Sequence, residues 1–133
     1  MYDVRAHKYL GRLAHLDYSM SESSGELLAI MPRRIGRIML TAPRQVERGR
    51  PAPISVAVED WKADMGKAVF RLEVCDPNGK LNASYARNVV CDAGHAETAI
   101  PFALNDASGQ WRVRAFEVCS GQREEARIRV VGE

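Results

Sequence analysis

A chain of 133 residues has room for one domain, or one domain and a short appendage, and a hydrophobic content of 46% is enough to fill a core. Charged residues at 27% and a net charge of +2 fit neither a disordered chain nor a uniformly basic nucleic-acid binder. No apolar run approaches the ~20 residues that span a bilayer, and the opening Met1–Ala6 lacks the apolar stretch of a signal peptide. A cytosolic protein fits this, and so does a segment of a longer chain in either compartment.

The first fifty residues have a texture of their own. Tyr2–Arg5, Leu13–Tyr18 and Leu27–Met31 read as short strands, with the polar loop Ser19–Gly25 between the last two. Pro32 and Pro43 flank a further strand, Ile35–Leu40. Between Arg33 and Arg50 stand six arginines and one acid, Glu47. Such a run can contact phosphates; arginines alternating with apolar residues on strands that face water explain it more simply. Residues 1–50 carry nine Lys/Arg against five Asp/Glu and the remainder ten against twelve, so the basic excess is local.

From Ile54 onward, period-two alternation dominates. Ile54–Glu59 and Val69–Val74 alternate, with Phe70, Leu72 and Val74 expected inward and Arg71 and Glu73 outward. Trp61–Lys67 has room for one helical turn at most. Asp76-Pro77-Asn78-Gly79 is a strong turn, because Asn and Gly accept positive φ. Ala83–Val90, through Tyr85, is predicted as a strand. So is Thr98–Leu104, with Ile100, Phe102 and Leu104 on one face. After the turn Asn105–Gly109, Trp111 and Val113 alternate with Arg112 and Arg114, and the changed parity of Phe116 and Val118 predicts a bulge near Ala115. Ser120-Gly121 then turns the chain into the alternating Ala126–Val130. Strands recurring every ten residues or so between Gly and Asn turns predict an all-β, immunoglobulin-like or fibronectin-III-like antiparallel sandwich over residues 35–133. Residues 1–34 form a β-rich N-terminal hairpin appendage too short to be a domain alone.

No catalytic or metal-binding arrangement is visible. Gly-x-Ser-x-Gly is absent, and His7, His15 and His95 are scattered without metal-ligand spacing. Glu59-Asp60 and Glu124-Glu125 are adjacent pairs, which strands point to opposite faces, so neither pair converges on one bond. Cys75, Cys91 and Cys119 form no CxxC pair; three reduced thiols are the simpler reading, and a Cys75–Cys119 bridge would require neighbouring strands. No cofactor is expected. Trp61 and Tyr85 are the candidates for a polysaccharide-binding face, while Trp111 reads as the large residue buried between sheets.

Tyr2-Asp3-Val4-Arg5, Lys8–Arg12 and Leu27–Pro32 resemble the end of a β-sandwich found late in large bacterial glycoside-hydrolase-like proteins. Asp76–Lys80, Tyr85–Asn88, Ile100–Asp106 and Gly109–Val113 are similar to the immunoglobulin-like module that follows it there. The resemblance implies a piece of the C-terminal region of a carbohydrate-active protein, with Met1 an added start. The role it implies is that of a non-catalytic accessory module for packing or assembly. Its implied partners are other domains of the parent chain, or a second copy sharing the N-terminal strands. A carbohydrate-binding module and a nucleic-acid binder through Arg33–Arg50 are the alternatives.

Overall fold

The computed structural model describes residues 1–20, 22–23 and 25–132. It is all-β; the helical element among the described residues is one 3-10 turn over Ala63–Met65. Among the described residues eleven strands run in chain order: β1 Tyr2–Asp3, β2 Lys8–Tyr9, β3 Leu28–Ala29, β4 Ile38–Thr41, β5 Gln45–Glu47, β6 Pro51–Val58, β7 Ala68–Cys75, β8 Arg87–Cys91, β9 His95–Pro101, β10 Gly109–Glu117 and β11 Arg123–Val131. They form three sheets, ordered β2-β1-β3, β4-β6-β9 and β5-β11-β10-β7-β8.

The second and third sheets bury their alternate residues in one cluster. Ile38, Ile54, Val56 and Ile100 come from one side, and Phe70, Leu72, Trp111, Val113 and Ile128 from the other. Phe102 and Trp111 meet edge to face at 5.2 Å, and the Trp111 indole N–H donates to the Ala107 carbonyl at 2.9 Å, so the largest core residue leaves no polar atom unpaired. Trp111 and Phe70 therefore sit where the alternation predicts.

Proline decides where the chain changes sheet. The Val58 N–H donates toward β9 (Gly94 O, 2.8 Å) and the Glu59 N–H toward the other side (Arg37 O, 2.8 Å), so odd-numbered β6 residues aim their amides at β4. Pro51 and Pro53 have no amide to aim. Pairing of β4 with β6 accordingly stops at Thr41–Ser55, and the chain passes through Ala42-Pro43 into β5, which joins the opposite sheet. There β5 runs parallel to β11 (Val46 opposite Val130). That pair is a departure from the fully antiparallel expectation, and it follows from the missing ladder donors.

Three further expectations are corrected. First, no bulge interrupts β10: its register with β11 is continuous from Gly109 to Phe116. The alternation simply carries on, burying Glu117 and turning Phe116 outward, where the Arg123 guanidinium lies 4.9 Å from its ring. Glu117 is tolerated inside because its carboxylate accepts from the Ser120 N–H (2.7 Å), the Ser120 hydroxyl (2.6 Å) and the Cys119 N–H (3.2 Å). Second, β9 ends at Pro101, so Leu104 falls in the following turn and is 78% exposed. Third, Tyr85 belongs to the turn before β8 and is buried, as described below.

The N-terminal residues form a complete small sheet, β1 pairing with both β2 and β3, and not a hairpin alone. Leu13–Tyr18 lies outside it and forms no strand. Each strand is two residues long, so hydrogen bonding within the sheet cannot hold it by itself. It is held by the main body: Tyr2 is 2% exposed, and its hydroxyl accepts from the Ile35 N–H at 2.7 Å. Replacing Tyr2 with Phe leaves a buried amide without a partner, at a cost of about 1–3 kcal/mol. Hydrogen exchange should show lost protection concentrated in residues 1–12, with the main sheets still protected; undiminished protection of that segment would refute the clamp.

Candidate interaction surface of the N-terminal sheet

Two consecutive residues at the junction with the main body, Arg34 and Ile35, grip this small sheet. Ile35 bonds Tyr2, and the Arg34 guanidinium lies 5.0 Å over the Tyr9 ring, whose other neighbour is the Tyr2 ring at 4.9 Å. At the far end His7 packs against Gly121, where an added Cβ would come within 2.4 Å of the His7 Cβ and 2.6 Å of its ring, and where φ is +69°. Only glycine meets both demands.

Beside this grip opens a cleft of about 730 Å³. Tyr9, Leu13, Ile30 and Met31 give it an apolar lining, and Arg12, Arg33, Arg34 and Asp64 a charged one. Arg33 and Asp64 approach to 3.6 Å with both side chains more than half exposed, a pair worth under ~1 kcal/mol. Apolar side chains of this segment are open to solvent: Ile30, which lines the cleft, is 80% exposed, Met20 65% and Leu27 55%, with Leu13, Tyr18 and Leu28 also on the surface. Six of the ten large exposed apolar residues thus come from the first 34 positions. A concentration of this kind marks a contact surface more often than a solvated one.

The residues singled out for sugar binding are not brought together. Trp61 is half-buried at the end of β6 near Val58, its indole N–H donating to the Gly66 carbonyl (3.0 Å) and its side chain against Gly94. Tyr85 packs on Phe102 and Trp111 at the Pro51 end of the same strand, which spans ~25 Å at the usual rise per residue. The Tyr85 hydroxyl is taken up by the Ala103 N–H (3.0 Å) and the Asp106 carboxylate, and burial followed by that carboxylate pushes its pKa up. Its ring is core, not platform.

The arginines of Arg33–Arg50 are dispersed as well. Arg33 and Arg34 face the N-terminal cleft, while Arg48 and Arg50 line a shallow groove with Leu104 at the other end. His95 opens β9 on the surface, and His15 is exposed. Among the described residues no three His, Cys, Asp or Glu side chains are grouped to hold a metal ion. Glu125 pairs with Arg114 on the outer face, while its neighbour Glu124 lies on the opposite side of β11.

No protein-family model matches the chain, and no curated protein matches it. Among solved structures, a beta-glucosidase from Listeria innocua superposes with a TM-score of 0.45 at 17% identity, covering 73% of this chain. This chain spans 16% of that enzyme's length. A point variant of the superoxide reductase (neelaredoxin) from Ignicoccus hospitalis gives a TM-score of 0.51 at 14% identity, over 74% of this chain and 82% of that one. The CARDB domain of a Pyrococcus furiosus protein in complex with di-metal ions gives 0.45 at 14% identity, over 86% and 100%. Of these three the superoxide reductase variant alone passes a TM-score of 0.5, and at 14% identity that likeness is one of strand arrangement.

All three cysteines are free. Burial, then the Asp92 and Glu117 carboxylates, push the Cys91 thiol from 9.0 up to about 11, and burial also raises Cys119. A neutral buried thiol stabilises the fold fully below about pH 9, and that contribution is lost as pH rises toward 11. Stability should therefore fall across this window by less in Cys91→Ala than in the unsubstituted chain. Iodoacetamide at pH 8 should spare native Cys91 yet alkylate three thiols in denaturant; rapid native alkylation of Cys91 would contradict the burial.

Proposed function

We propose that this chain is a non-catalytic accessory module of immunoglobulin-like or fibronectin-III-like sandwich type, serving a larger carbohydrate-active, glycoside-hydrolase-like protein. The fold reading is supported by the strand orders β4-β6-β9 and β5-β11-β10-β7-β8, which match the division of such sandwiches into a first-second-fifth sheet and a sheet built on the third, sixth and seventh strands. Passage of the first strand from one sheet to the other, through β4 and β5, supports it too.

The observation that carries the role is the N-terminal sheet. It is clamped to the main body through Tyr2 and Arg34 yet leaves Leu27, Leu28 and Ile30 in water. Its outer strands β2 and β3 are two-residue edges with open backbone groups. A surface tied to the main body and left apolar suits a neighbouring domain of the parent chain, which the Tyr2–Arg5 and Leu27–Pro32 resemblance implies on this side. A second copy fills the same surface when the parent is missing.

Sedimentation of the isolated chain should accordingly show concentration-dependent self-association. Leu27→Ser with Ile30→Ser, at positions 55% and 80% exposed, should abolish it while shifting unfolding stability by no more than about 0.5 kcal/mol, as exposed positions do. A chain that stays monomeric at millimolar concentration, with no change in apolar-dye binding on these substitutions, would remove the docking role.

A further inference from the structure

The alternation that fills the core also builds the opposite face of the five-stranded sheet. Residues of β7, β10 and β11 that do not enter the core point outward, and six of them are arginines: Arg71, Arg112, Arg114, Arg123, Arg127 and Arg129. Against them stand Glu73 and Glu125, with Glu47 on the edge strand β5. The register sets Arg112 directly opposite Arg127, with Arg129 on the diagonal. Like charges facing each other across strands destabilise a sheet.

Compensation is incomplete. Glu125 reaches Arg114 at 3.2 Å and Arg127 at 3.9 Å, so one carboxylate serves two guanidinium groups. Among the described residues Arg112 and Arg129 have no carboxylate within 4.0 Å. The adjoining turn brings further positive charge: Gly79 lies against the Arg112 guanidinium, and the exposed Lys80 follows it. The nearby Asp76 carboxylate is engaged in the turn itself, its Oδ1 accepting the N–H groups of Asn78 and Lys80 at 2.9 Å each.

We infer that this face binds a linear acidic polysaccharide through Arg112, Arg127 and Arg129. Outward side chains repeat at ~6.7 Å along a strand and ~4.8 Å between strands, a flat array of charges that suits an extended polyanion rather than a compact ligand. Guanidinium forks take carboxylate or sulfate groups two bonds at a time. Single-stranded nucleic acid is disfavoured because it needs exposed rings for base stacking. The ring available on this face, Phe116, is already covered by Arg123 at 4.9 Å, and Tyr85 is in the core.

This surface is separate from the N-terminal sheet, and the two claims fail independently. The test is titration of the chain with polygalacturonate, heparin and poly-dT, read by calorimetry at about 50 and 200 mM salt. Expected is saturable binding of polygalacturonate or heparin that weakens about tenfold across that range. Arg112→Gln with Arg127→Gln should weaken it about tenfold more, and the charge-neutral Leu27→Ser with Ile30→Ser should leave it unchanged. The single variant Arg112→Gln should bind less well and melt at an equal or higher temperature, because it relieves the facing positive charges. Three outcomes overturn the inference: no binding of either polysaccharide, binding indifferent to the arginine substitutions, or tighter binding of poly-dT.

Discussion

Trp111, Phe102, Phe70 and the aliphatic residues around them must share one interior, and that demand governs the rest of the molecule. An indole and two phenyl rings leave water together only if two sheets close over them. Each fully buried aromatic of this size contributes about 1.5–3 kcal/mol through its removal from water. Strands β6, β7, β10 and β11 are the ones long enough to line such an interior from both sides, and their inward residues are almost without exception apolar. Glu124 of β11 falls half-buried on the inward side, and Glu117 is the one that is fully enclosed. It is admitted because three donors in the loop that follows it replace the water it loses.

Closure then has to be reconciled with the edges it leaves. The edge strand β9 exposes the Ala99 carbonyl, which the Arg87 guanidinium of the opposite sheet caps at 2.8 Å, so one side chain covers the open edge and ties the sheets together. At the turn between β8 and β9, Ala93 (φ +52°) and Gly94 (φ +80°) give the tight left-handed geometry that hairpins favour. The edge next to β4 is managed through Pro51 and Pro53, which end the ladder and release the chain toward β5. These devices protect the two main sheets. The N-terminal sheet has no such protection, and its open apolar side stands out against them.

Much of this was legible in the residues. Alternation over Ile54–Glu59 and Val69–Val74, the turn at Asp76–Gly79 and the burial of Trp111 all follow from period-two patterning and turn chemistry, which are local. What escaped depended on neighbours far away in sequence. Phe116 looked like a core residue because it is aromatic, but its fate was decided by Glu117 finding donors at Cys119 and Ser120. Tyr85 looked like a platform because nothing local shows that Ala103 and Asp106 would satisfy its hydroxyl. The two-residue strands β1, β2 and β3 carry no periodicity at all, since two residues cannot display one. The outward arginines were each visible as alternating partners, yet that Arg112 faces Arg127 depends on strand adjacency and register, which no single strand records.

The two candidate surfaces differ in physics as well as in place. Arg112 precedes Glu117 by five residues on β10, so the arginine cluster and the end of the sheet that holds the N-terminal strands lie ~17 Å apart along one strand. Contact through Leu28 and Ile30 depends on apolar area and strengthens or holds as salt rises, whereas contact through guanidinium groups weakens. On the roles proposed for them, a body that presents both can stay docked to a protein neighbour while its far face takes and releases a charged chain. The alternation that hides Trp111, Val113 and Ile128 is the same one that lifts Arg112, Arg114, Arg127 and Arg129 into solvent, so the basic face is a consequence of how the core is built.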